Sequence, residues 1–158
     1  MAPTGVIEST ALGMAMRQSM WMYPVVETVH LVGIALLVGS IAVFDLRLLG
    51  FSRALPVRAL ASHLLPWTLS SLVLIVPSGF MMFAAHATDF ISSNMFALKM
   101  CLILAAGTNA AVFHAGAMRG AADWDTGAMP PWAARAAGAL SLLLWVSVIA
   151  CGRLLAYT

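Results

Sequence analysis

The charged side chains of this chain are spaced so that four long apolar stretches run between them, and that spacing limits what it can fold into. Glu27 and Arg47 lie 20 residues apart, about 30 Å of helix, which matches the hydrocarbon thickness of a bilayer. A second stretch opens at Pro56 and Arg58 and runs to His86. A third runs from Met95 to His114, bracketed by Lys99 and Arg119, and a fourth from Trp132 to Gly152, closed by Arg153. Only 9% of the 158 residues are charged and 62% are hydrophobic. A soluble domain carries roughly 25% charged residues, and disordered chains are more polar still, so both classes are excluded. At about 20 residues per span, the length holds four spans with short loops.

The expected fold is therefore an all-α membrane protein in one domain, residues 1–158, built as an up-down-up-down bundle. The spans are placed at 24–47, 57–86, 95–118 and 132–153. Residues 5–22 are apolar on one side and broken by Glu8, Ser9, Thr10, Arg17 and Gln18. They read as one amphipathic helix in the interface, anchored by Trp21 and Tyr23. Pro66 and Pro77 predict kinks in the second span. Residues 87–94 and 120–131 read as polar loops. No short apolar run ends in a small-residue cleavage site, so the chain is expected to insert through its own first span.

Let the N-terminal side of the membrane be face A and the opposite side face B. Face B then carries Arg47, Arg53, Arg58, Arg119 and Arg135, and face A carries Arg17, Lys99 and Arg153. That bias predicts a cytoplasmic face B and periplasmic termini, in a bacterial inner membrane. The net charge of +2 reflects loop basicity, with no basic cluster of the kind nucleic acid requires.

All four histidines lie in or at the ends of spans, where ionisable groups are expensive and usually functional. His30 and His86 are expected near face A, and His63 and His114 near face B, each about 7.5 Å inside an arginine. His63 and His86 are 23 residues apart, a rotation of roughly 140°, so the second span could present one to each neighbour. Two histidines at one depth on facing helices form a bis-imidazole site, and imidazole is a good axial ligand for haem iron. Gly33, Gly107, Ala110 and Ala111 would let a flat macrocycle pass. Arg58, Arg119 and Arg135 at face B, and Lys99, Arg153 or Arg17 at face A, would pair with propionates.

Other constellations are open. Met14, Met16, Met20 and Met22 are soft ligands that would suit Cu(I), or they simply fill an apolar helix face. In DLRLLG (45–50), Asp45 and Arg47 do not share a helix face, so Asp45 is expected to pair with Arg58 or Arg119. This segment reads as a topology anchor or as a quinone or proton-entry site. Cys101 and Cys151 are expected to remain thiols, and Asn109 and Thr108 to bond between helices. No nucleophile triad, phosphate loop or carboxylate pair points to hydrolysis.

The segments HLVGIALLVGSIAVFDLRLLG (30–50), LLPWTLSSLVLIVPSGFMMFAAHATDF (64–90) and FALKMCLILAAGTNAAVFH (96–114) resemble an uncharacterised bacterial family of four-span inner-membrane proteins. The likeness covers nearly the whole chain and implies no established activity. More loosely, the histidine layout is similar to di-haem membrane cytochromes b of the b561 and copper-resistance D types. The resulting expectation is a membrane cytochrome b with two b haems, on His30/His86 and His63/His114. It would pass electrons between the quinone pool and a periplasmic redox partner, alone or as a subunit of a membrane oxidoreductase. The alternatives are a copper-handling protein and a cofactor-free anchor within a larger complex.

Overall fold

A computed structural model describes residues 3–155, which are helical apart from short connections. Two short helices, α1 (Pro3–Glu8) and α2 (Ala11–Gln18), precede the long α3 (Met22–Leu48). Then follow α4 (Val57–Ala85), the short α5 (Ala87–Ser92), α6 (Asn94–Ala115), a 3₁₀ helix (Ala117–Trp124) and α7 (Trp132–Leu155). Four of them, α3, α4, α6 and α7, are long and apolar enough to cross a bilayer. Backbone groups in lipid must bond within their own segment, which is why apolar runs of this length become helices. The protein is an all-α, four-span membrane protein.

The interfacial segment differs from the single helix expected. It breaks at Ser9–Thr10, because Thr10 turns extended and its side chain caps α2 by accepting from the Gly13 N–H. These helices lie on the bundle, with α2 on α4 and α1 on α5, and Met16 is buried with Val26 and Ala85. Both expected loops also carry helical turns, α5 and the 3₁₀ helix. Trp124 of the latter is buried with Leu48, Val57, Phe113 and Ala134.

The spans pack in the order α4–α3–α7–α6. The α3–α4 seam is tight at Gly33, where a Cβ would stand 2.7 Å from Ile75 Cγ1. The α3–α7 seam closes at Gly138 against Asp45 and Leu48. Helices α4 and α6 share no seam along their length. Near face A they meet through the stacked rings of Phe83, Phe90 and Phe96, with centroids 5.4–6.3 Å apart. At face B the 3₁₀ helix lies between them.

Face B is tied together by Arg47. Its Nε donates to the Leu55 carbonyl (2.8 Å), and Nη2 to those of Asp125 (3.0 Å) and Arg53 (3.4 Å). The turn it holds bends at Gly50, whose φ of +100° only glycine adopts without strain. Asp125 then caps α4, its carboxylate accepting from the Arg58 N–H and its carbonyl from the Val57 N–H.

Candidate functional site

Polar groups inside the bundle sit on the seams. On the α3–α4 seam, Ser40 and Thr68 hydroxyls are 2.9 Å apart. Nearer face A, His30 Nδ1 lies 2.9 Å from Ser78 Oγ. The Ser78 hydroxyl donates to the Leu74 carbonyl, so its lone pair accepts from His30 Nδ1–H. That fixes the tautomer and leaves His30 Nε2 as an acceptor. Lys99 of α6 and Glu27 are close enough for their charges to act on His30. The Lys99 ammonium rests where Gly152 of α7 lacks a side chain, 3.4 Å from the site a Cβ would take.

Near face B, Asp45 is 4% exposed, with Ser141 of α7 as its hydroxyl neighbour. The Asp45 Oδ2 has no partner. The expected pairing with Arg58 or Arg119 does not form, because Asp45 faces α7. Instead Arg58 begins α4, with its N–H held by Asp125, and Arg119 belongs to the 3₁₀ helix. Asp45 and His30 are 15 residues apart on α3, about 22 Å along the axis and about 60° apart around it. Both therefore lie on one side of that helix, with Ser40 at an intermediate level.

The histidine pairs expected as haem ligands are not brought together. His63 and His114 are both exposed. His63 lies 20 residues before Phe83, a net rotation of about 200°, so it points away from the side of α4 that meets α6. His114 is the penultimate residue of α6, and its Nδ1 is bonded to the Ala110 carbonyl of its own helix. His63 lies six residues, about 9 Å, inside α4, so the levels differ too. At face A, His30 sits level with Ser78, eight residues and about 12 Å short of His86. His86 ends α4, edge-on to Tyr23 and 3.6 Å from Asp89. The α3–α4 seam between them leaves no width for a macrocycle. Among the described residues no group of three or more His, Cys, Asp or Glu gathers.

The four methionines do not all gather: Met16 is buried with Val26 and Ala85 and Met22 packs against that cluster, while Met14 is exposed and Met20 is 81% exposed. Cys101 and Cys151 are free thiols, as expected. Asn109 bonds between helices, donating to the Ala137 carbonyl of α7, while Thr108 donates to Leu104 of its own helix. Reading by residue type alone missed the Arg47–Asp125 tie, although the lone Arg47 in DLRLLG and the acidic GAADWDTG loop were its signal.

No curated protein and no solved structure matches the chain. One family does match, over residues 6–158, and it is described as a family of unknown function. The chain belongs to that family, DUF6644.

Proposed function

We propose that this protein moves protons within the bacterial inner membrane, and that the Asp45 carboxyl is the group that takes them up and releases them. The carrying observation is Asp45 itself, a buried carboxyl in a span with one hydroxyl neighbour and one unpartnered oxygen. Such a residue is too expensive to hold in lipid unless it is used. The rest of the α3 interior supports the reading. His30, with Nε2 free to accept, stands near face A, and the Ser40–Thr68 hydroxyls lie between the two titratable groups. Facing face B, Asp45 would exchange with the cytoplasm and His30 with the periplasm.

The test is proton flux. Purified protein goes into vesicles with a trapped pH-sensitive dye, and a potassium gradient with valinomycin supplies the driving force. Wild type should acidify or alkalinise the lumen faster than empty vesicles. Asp45→Asn should abolish the excess and Asp45→Glu should restore part of it. Infrared difference spectra should show a titrating carboxyl band that Asp45→Asn removes. Equal flux in wild type and Asp45→Asn would sink the proposal. Electron transfer through two b haems, with a quinone or periplasmic partner, keeps only the sequence placement of the histidines in its favour. It would need α3 and α4 to part. A reduced-minus-oxidised b-type spectrum, lost in His30→Ala, would bring it back.

A further inference from the structure

On the outside of the bundle at face B, Leu49 at the end of α3 and Trp132, Arg135, Ala136 and Ala139 of α7 line a shallow groove. Its wall is apolar except for one guanidinium. Arg17, Arg47 and Arg53 spend their guanidinium groups on carbonyls or a carboxylate of their own chain. Arg135 does not: only its backbone N–H is bonded, to the Pro131 carbonyl. Arg135 lies in the first turn of α7, so it stands at the membrane boundary. Beside it Trp132 is 79% exposed, an indole in the position where aromatic side chains meet lipid headgroups. Below it Ala136 and Ala139, one turn apart, keep the groove open toward the hydrocarbon.

We infer that this groove binds one phospholipid with an anionic headgroup. The phosphate meets the Arg135 guanidinium, and an acyl chain runs over Ala136 and Ala139 against Leu49. The match is one of charge and shape together: the groove's one cation, with no side-chain partner, at the headgroup level, and an apolar channel leading away from it. A zwitterionic lipid would place a second cation beside Arg135 and lose that match. A free phosphate would leave the channel unfilled. The site is independent of the proton reading, since it lies on the lipid-facing side and uses none of its residues.

Native mass spectrometry of the full chain, released from detergent, tests this. The protein is titrated with phosphatidylglycerol, with phosphatidylcholine, and with glycerol 3-phosphate as the headgroup without tails. One phosphatidylglycerol should bind about fivefold more tightly than phosphatidylcholine, the effect of one arginine on an anionic lipid. Arg135→Gln should remove that preference. Arg119→Gln, an equal loss of charge elsewhere on face B, should leave it. Ala136→Leu should weaken both lipids by filling the channel. Equal binding of the two lipids would overturn the inference, as would an equal effect of Arg119→Gln. Competition by glycerol 3-phosphate as strong as that of the whole lipid would overturn it as well, by showing a simple anion site.

Discussion

Each end of the bundle is fastened by one arginine, and the two fastenings use similar acceptors in different surroundings. At face B, Arg47 is 1% exposed and gathers three backbone carbonyls from two connecting segments. At face A, the Arg17 side chain of α2 is 36% exposed. It donates to the Ala85 carbonyl at the end of α4 (3.2 Å) and the Glu8 carbonyl (2.7 Å), and pairs with the Glu8 carboxylate at 3.4 Å. A guanidinium removed from a fully buried site leaves a cavity as well as unmet acceptors, whereas water can reach the Glu8 acceptors beside a partly exposed one. The same guanidinium chemistry should therefore hold the fold at face B and only trim it at face A.

The largest effect is expected from Arg47→Ala. It removes a side chain buried to 1% exposure and leaves the Leu55 and Asp125 carbonyls without their donor. A loss of about 3 kcal/mol is expected, read as a lower thermal midpoint in detergent. Proteolysis should then enter residues 49–56 and 125–131 first. A midpoint within a degree or so of wild type would break the contrast between the two ends. Arg17→Ala is the matched experiment and should lose about 1 kcal/mol, mostly the bond to Ala85. If the two variants fall equally, burial is not what separates the clamps.

Asp45→Asn sharpens the comparison from inside α3. Asp45 and Arg47 are two residues apart, and both are buried, yet only Arg47 has acceptors for most of its polar atoms. Losing Arg47 should destabilise the fold, while an amide at 45 keeps the shape beside Ser141 and removes a titratable group. The thermal midpoint of Asp45→Asn should match or exceed that of wild type, because a buried group without its charge is cheaper to hold. A large drop would mean that Asp45 is structural, and would count against its role in moving protons.

Much of this architecture was legible in the sequence, and the reasons are uneven. The spans were readable because charges at Glu27, Arg47, Arg58, Lys99 and Arg119 mark their ends, and the apolar length between them admits one answer. The depths of side chains followed from counting residues, which is why His30 was placed near face A. Azimuth was not legible. In lipid a span is apolar on every side, so α3 and α4 carry no stripe to say which face meets a neighbour. His63 and His114 looked paired by depth, and the rotation of α4 together with a difference in level separates them. The split at Thr10 was missed because its hydroxyl competes for the backbone locally, a capping choice that hydrophobic pattern does not record.

The smallest predicted effect is a pH response confined to face A. The Glu8 carboxylate accepts the Thr88 N–H at 2.7 Å, and that bond, more than the Thr88 side chain or Arg17, holds its pKa below the usual 4.5. A carboxyl whose pKa is lower folded than unfolded stabilises the fold above the unfolded value. That contribution is lost as pH falls through the lowered folded value. Hydrogen exchange should therefore show residues 5–18 and 86–89 loosening as the pH drops from about 5 toward 3, while the turn at 49–56, held by Arg47 through carbonyl acceptors alone, does not respond. In Glu8→Gln the face A segment should already be looser at neutral pH and should lose its acid response. A response of equal size at residues 49–56 would show that acid acts on the whole bundle, and the two clamps would then differ in burial but not in chemistry.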